Sequence, residues 1–141
     1  MTVEGLERRY GIIELTSDFD HAETVRRLKE TVLAQSDTKG FGDVDFRADA
    51  AAMGIDIPAS PLLPFGGPAP GGRAMAEFPR LGLDAFCQKL LVYQDDSSVR
   101  IAFNDIAALA RLHCGRVIPI HEGLNRRLTQ SFATAIAAPG S

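Results

Sequence analysis

Four side chains are the best candidates for catalysis in this sequence: Asp45, Asp84, Cys87 and Lys89. A carboxylate and an ammonium group in one cleft shift each other's pKa toward values that suit acid–base catalysis. Cys87 lies two residues before Lys89, so in a strand both side chains share a face, where a cation can stabilise a thiolate. The structural alternative stays open, because charged residues at strand ends are commonly solvated and a lone strand cysteine is commonly a small buried apolar residue.

A turn rich in proline and glycine is the second place where chemistry is possible. The stretch PLLPFGGPAPGG, at residues 61–72, contains four prolines and four glycines. Consecutive glycines can expose backbone N–H groups that bind an anion. However, the stretch lacks the G-x-x-x-x-G-K-[ST] phosphate pattern, and its prolines remove backbone donors. The turn is therefore interpreted either as a rigid structural link or as a ligand-facing loop.

The candidates for ligand binding are two aromatic residues, two glycines of the turn and one amide: Phe46, Phe65, Gly66, Gly67 and Asn104. Asn104 also has an ordinary structural alternative, since Asn104 or Asp105 can cap the helix that follows. The pairs His113-Cys114 and His121-Glu122 are poor metal ligands, because adjacent helix residues point about 100° apart and no third ligand has a recognisable spacing. We predict no metal site and no cofactor.

Composition predicts a single globular domain over residues 1–141, with a core at about 10–138 and a flexible tail at 139–141. Apolar residues make up 45% and charged residues 23% of the chain, as in soluble globular proteins. The net charge is −3 and the basic residues are scattered, which argues against a nucleic-acid partner. No stretch approaches the roughly 18–20 apolar residues of a membrane span. We therefore predict a cytoplasmic protein without nucleic-acid or membrane partners.

Hydrophobic periodicity and turn residues predict the secondary structure. The predicted elements are a strand (9–17), a helix (19–35), a strand (41–46), a short helix (47–54), a strand (61–65), a helical turn (73–79), a hairpin (88–94 and 99–104) and two helices (106–113 and 121–138). Ser17 and Asp20 are predicted to form a capping box, and the prolines of strand 61–65 are expected to make it very short or place it at a sheet edge. This order predicts an α+β two-layer sandwich with a mostly antiparallel sheet backed by helices.

Two stretches, VDFRADAAAMGIDIPASPLLPFGGPAPGGRAMAEFPRLGLD and KLLVYQDDSSVRIAFND, carry a family resemblance over roughly residues 10–115. Their order and spacing resemble the bacterial family called domain of unknown function 302. The matching positions are Asp45, Phe65, Gly66, Pro68, Leu83-Asp84, Lys89, Tyr93 and Asn104-Asp105. The resemblance implies a curved antiparallel sheet of the TATA-binding-protein-like class and a homodimer, but it implies no particular activity.

The chain departs from the family pattern at two positions. Phe46 stands where the family commonly has a histidine, so a role of that histidine in acid–base or metal chemistry does not transfer. Gly67 stands where the family commonly has an asparagine, so an amide that could donate to a ligand is absent. Glycine and asparagine both tolerate a left-handed backbone, and the turn itself is expected to be kept.

Three functional hypotheses follow. The first is a dimeric protein that binds a small molecule or a partner in a groove between the sheet and the helices. The second is a small biosynthetic or detoxifying enzyme that uses the four catalytic candidates in a pocket walled by Phe46 and Phe65. The third, nucleic-acid binding by the curved sheet, follows only from fold analogy, and the net charge of −3 argues against it.

Overall fold

The computed structural model describes residues 5–140, so the predicted tail at 139–141 lies partly outside the described residues. Its elements are β1 (Glu7–Arg9), β2 (Ile12–Thr16), α1 (His21–Ala34), β3 (Lys39–Gly40), α2 (Phe46–Ala52), β4 (Leu62–Gly66), α3 (Pro68–Glu77), a 3-10 helix (Pro79–Leu83), β5 (Gln88–Asp95), β6 (Ser98–Asn104), α4 (Ile106–Cys114) and α5 (Pro119–Ala135). None of the helices within residues 5–140 combines the length and the apolar character that crossing a membrane requires.

The strands form one sheet in the order β1-β2-β6-β5-β4-β3, and every pairing is antiparallel. Burial alternates along the central strands, which directs every second side chain toward the helices. Helix α5 places Phe132 at the centre of this layer, where its ring meets the edges of Phe65 and Phe103 at centroid distances of 5.5 and 5.4 Å. Leu28 and Val32 of α1 complete the core. The predicted α+β fold with an antiparallel sheet is confirmed.

The predicted strand at 9–17 is wrong in its extent, because it contains a hairpin. Strands β1 and β2 are joined at Tyr10 and Gly11, which have φ angles of 58° and 78°. A two-residue turn of this kind needs positive φ at both positions, and a tyrosine gives little sign of it in the sequence. The predicted capping box is also wrong, since Asp20 caps α1 by accepting a hydrogen bond from the Glu23 backbone at 2.8 Å, while the Ser17 hydroxyl is buried.

The predicted strand at 41–46 is likewise mostly irregular. Strand β3 is only Lys39–Gly40, Gly42 has a φ of 99°, and Val44 forms an isolated bridge with Leu62. The next residue, Asp45, is the N-cap of α2, so the extended segment stops at Val44. The predicted strand does not continue through 45–46 because aspartate favours the N-cap position, which starts a helix there.

Strand β4 has five residues and lies between β5 and β3, so the prediction of a very short strand or an edge position is wrong. The prolines are tolerated because β3 pairs with only two residues of β4, Phe65 and Gly66. On that side the carbonyl of Pro64 accepts a hydrogen bond from the Phe41 backbone at 2.9 Å, and the missing N–H of Pro64 costs no regular ladder bond.

Helix α3 begins five residues before the predicted helical turn at 73–79. Pro68 and Pro70 fall in its first turn, where backbone N–H groups have no partner within the helix and proline is accepted. The remaining elements agree with the sequence: the β5–β6 hairpin forms, Asp105 caps α4, and Gly115 ends that helix with a φ of 76°.

Candidate functional site

The turn between β4 and α3 opens onto a cavity of about 240 Å³ that we call the turn cavity. Its lining residues are Phe41, Gly66, Gly67, Pro68, Gly71, Gly72, Met75, Phe86 and Cys87. Three of the residues singled out in the sequence, Gly66, Gly67 and Cys87, therefore lie around one cavity. The lining carries no acidic or basic side chain, so the cavity suits an apolar group.

Gly67 shapes the cavity because only glycine fits at this position. It is the N-cap of α3 with a φ of −104°, so a left-handed backbone is not the reason for glycine here. A Cβ at this position would lie 2.7 Å from Cγ of Pro70 and 3.0 Å from the carbonyl oxygen of Asp37. The close approach of these two groups leaves no room for an asparagine, the residue that the resemblance implies at this position.

The approach of Asp37 to the turn is fixed by an ion pair across the fold. Arg127 of α5 donates to the two carboxylate oxygens of Asp37 at 2.9 and 2.5 Å and to the Gln35 side chain at 3.0 Å. The hydrogen bonds from Arg127 to the carboxylate lower the pKa of Asp37 to about 2. The sequence gives no sign of this pair, because its partners are 90 residues apart.

The remaining glycines of the cavity have different environments. A Cβ on Gly66 would meet the ring of Phe41 at 3.3 Å, so Phe41 covers this glycine on one face of the sheet. A Cβ on Gly72 would meet nothing within 4 Å, which leaves free space beside α3. Pro68 and Pro70 lack N–H groups, so the start of α3 offers fewer donors than a phosphate-binding loop does.

The acid–base candidates Asp84 and Lys89 come together with Asn104, outside the lining of the turn cavity. The side chains of Lys89 and Asn104 donate to the backbone carbonyl of Asp84, at 3.4 and 2.7 Å. The Asp84 carboxylate lies 2.7 Å from Nε2 of His113, a contact that the sequence did not indicate. None of these four residues lines the turn cavity, whose only thiol is that of Cys87.

Asp45, Phe46 and Phe65 are separated from this group. Asp45 is exposed and caps α2 by accepting from the Ala48 backbone at 3.2 Å. Phe46 is 63% exposed, whereas Phe65 is 4% exposed and packs in the core against Phe132. Phe46 is therefore on the surface and Phe65 in the interior.

A second apolar depression, the side groove, lies along β4 and has a volume of about 210 Å³. Its lining residues are Lys29, Val32, Leu33, Gly40, Gly42, Asp43, Leu63, Pro64 and Phe65. Lys29 and Asp43 form an ion pair. Adjacent residues of β4 thus line different depressions: Phe65 lines the side groove and Gly66 lines the turn cavity.

A polar network holds β1 against α4 and α5. Arg8 donates to both carboxylate oxygens of Asp105, at 2.6 and 3.1 Å, and to both of Glu122, at 3.0 and 2.5 Å. Burial opposes ionisation of Asp105, but the hydrogen bonds from Arg8, the Ala108 backbone and Asn125 hold its pKa below the ordinary value. The Arg8 guanidinium likewise lowers the pKa of Glu122.

The cap Asp105 is thus also part of a buried network, which its position in the sequence did not reveal. Across residues 5–140, no three side chains of His, Cys, Asp or Glu come close enough together to hold a metal ion.

Comparison with known proteins supports a family but no activity. The model of the family described as domain of unknown function DUF302 matches residues 13–134. The crystal structure of an uncharacterized conserved protein DUF302 from Bacillus stearothermophilus is similar in fold, with a TM-score of 0.69 and 17% sequence identity over 91% of this chain and 97% of that one. No curated protein matches the chain. With the family model covering most of the sequence, the chain belongs to the DUF302 family.

Proposed function

We propose that this protein binds a small apolar molecule in the turn cavity. The observation that carries the proposal is an open cavity of about 240 Å³ with aromatic, glycine, methionine and cysteine walls and no charged lining. For comparison, an apolar protein cavity of about 150 Å³ is large enough to bind benzene. Most ligand sites in proteins are concave and predominantly apolar.

The wall formed by α3 supports this proposal. Gly72 presents backbone with nothing within 4 Å of its Cβ position, which lets a ligand come close to the helix, whereas Gly71 is buried against Phe86. Met75 lies one turn further on and has a flexible thioether side chain that adapts to the shape of a bound group. Phe41 and Phe86 supply aromatic surface on the other sides.

The substitution Gly72→Leu tests the proposal, because a leucine side chain fills the cavity from a position where its Cβ meets nothing. We expect indole to raise the melting temperature of the wild type and to slow alkylation of Cys87 by iodoacetamide. The Gly72→Leu variant should fold and show neither effect. Gly72→Ala is the matched control, since it adds only a methyl group and should retain part of the response.

Cys114 provides an internal control for the alkylation measurement, because it is the other free cysteine and does not line the cavity. Equal protection of Cys87 and Cys114 by indole would contradict the proposal. So would an undiminished response of the Gly72→Leu variant.

An enzyme is the alternative, and the exposure of Cys87 to the turn cavity is the observation that favours it. A catalytic thiol must be ionised near neutral pH, since the thiolate is the nucleophile. In that case Cys87 should react with iodoacetamide at pH 7 about tenfold or more faster than Cys114. Similar rates for the two thiols would favour the binding protein.

We also propose that the protein is a cytoplasmic homodimer without nucleic-acid partners. Five large apolar side chains in one segment of the chain are exposed: Phe41, Val44, Phe46, Met53 and Ile55. Exposed apolar patches are common at subunit interfaces. Sedimentation velocity of the wild type and of Phe46→Glu tests the dimer, because a charge among these apolar side chains should shift the protein toward the monomer.

A further inference from the structure

We infer that the ligand of the turn cavity is a small organic monocarboxylate, with its apolar part in the cavity and its carboxylate at the rim. This inference rests on the proposed function and adds the chemical class of the ligand. The observation behind it is the position of two lysines on the sheet face that bears Gly66, a residue of the cavity lining.

Strand register places two lysines on the face of the sheet that bears the cavity. Lys39 pairs with Gly66, and Lys89 pairs with Pro64. Directly opposed residues of antiparallel strands project to the same face, and residues two apart on one strand do so as well. Lys39 and Lys89 therefore share the face on which the ring of Phe41 covers Gly66.

Neither of these lysines is neutralised by a carboxylate within residues 5–140. Nζ of Lys89 donates to the backbone carbonyl of Asp84, while the carboxylate of Asp84 lies against His113. Lys29, the third lysine of the chain, is different because it pairs with Asp43. The sheet face that bears Gly66 thus carries two cations without carboxylate partners among residues 5–140, in a protein of net charge −3.

An apolar cavity with two lysines on the neighbouring sheet surface fits a molecule with an apolar body and one anionic end. A lysine ammonium is a compact charge on a flexible stem, so it can reach the rim without entering the cavity. The open cavity of about 240 Å³ accommodates an apolar part of roughly one aromatic ring or a short chain. A neutral molecule of the same shape would leave the two ammonium groups without an ionic partner.

Phenylacetate and its neutral amide, phenylacetamide, form a matched pair of probes for this inference. We expect calorimetry at low salt to show that phenylacetate binds about fivefold or more tighter than phenylacetamide, as for a pair of partly exposed ion contacts. The preference should shrink at high salt because screening weakens exposed charge pairs. It should also shrink in Lys39→Met and in Lys89→Met, and persist in the control variant Lys29→Met.

The outcomes separate this inference from the proposed function. Equal binding of the two probes by the wild type, lost in Gly72→Leu, would overturn the carboxylate class and leave the turn cavity as the binding site. A carboxylate preference that Lys39→Met and Lys89→Met leave unchanged would also overturn the inference. Binding of neither probe, with Cys87 alkylation unaffected by both, would overturn the inference and count against the proposed function.

Discussion

Two glycines five residues apart, Gly67 and Gly72, differ in the space that a side chain would have. Gly67 has no space for a Cβ, whereas Gly72 has free space and a regular helical position. The free energy of unfolding of alanine variants therefore distinguishes Gly67, which the packing requires, from Gly72, which only leaves the cavity open.

We expect Gly67→Ala to destabilise the protein by about 1–3 kcal/mol, the usual cost of forcing extra volume into a packed site. Gly72→Ala should stabilise it by about 0.5–1 kcal/mol, because glycine inside a helix is entropically unfavourable. Urea unfolding of both variants at pH 7 measures the difference. Equal effects of the two substitutions would show that the approach of Pro70 and Asp37 to Gly67 is not the constraint.

At the scale of elements, the attachment of β1 to α4 and α5 depends on the ionised state of Asp105 and Glu122. Both carboxyl groups have a pKa below the ordinary value in the folded protein, because Arg8 donates to each of them. Groups with a depressed folded pKa contribute stability above their unfolded pKa and lose that contribution as the pH falls. The network therefore stabilises the protein at neutral pH and weakens below about pH 4.

We expect Arg8→Gln to lower the free energy of unfolding at pH 7 by about 1–3 kcal/mol, because buried Asp105 loses its cationic partner. At pH 3 the wild type and the variant should differ much less. Urea unfolding at the two pH values tests this, with Arg111→Gln as a control on an exposed arginine. A difference between wild type and Arg8→Gln that is constant with pH would refute the ionic origin.

The elements that the sequence predicts well are those whose signals are local. The β5–β6 hairpin, α4 and α5 have clear periodicity and end at turn or capping residues, and all three form. The predictions around Tyr10, Val44 and Pro64 are wrong because pairing with a neighbouring strand determines the backbone conformation there. Helix α3 was predicted too short because its prolines look like breakers, although the first turn of a helix accepts them.

In the candidate site, too, the sequence identifies residues with a local signal and misses those placed by tertiary packing. Gly66, Gly67 and Cys87 stand out in the sequence because of residue type, and they lie around one cavity. Phe41 and Met75 could not be found from the sequence, since tertiary packing brings them to that cavity. The contact between Asp84 and His113 spans 29 residues and leaves no trace in local spacing.

For the whole molecule, the core depends on the aromatic cluster around Phe132. This side chain is 0% exposed, and its ring contacts Phe65 of β4 and Phe103 of β6, the two strands that flank β5. The free energy of unfolding of a domain is typically only about 5–15 kcal/mol. Removal of one such ring is therefore a large fraction of the total.

We expect Phe132→Ala to lower the free energy of unfolding by about 3–5 kcal/mol, the sum of lost burial and the cavity left behind. Phe46→Ala is the matched control, since that ring is 63% exposed and its loss from the monomer should cost less than about 0.5 kcal/mol. Thermal and urea unfolding of both variants measure the contrast. A small effect of Phe132→Ala would mean that the surrounding core collapses to fill the space.

The edge strands of the sheet, β1 and β3, influence how copies of this protein can associate. Strand β3 has two residues and is followed by the positive φ of Gly42, and strand β1 has three residues, all charged. Short, charged or interrupted edge strands hinder the addition of another chain's strand to the sheet. The molecule is thus protected at both edges against fibril-like growth, and a second copy is expected to associate through side chains on a surface rather than by extending the sheet.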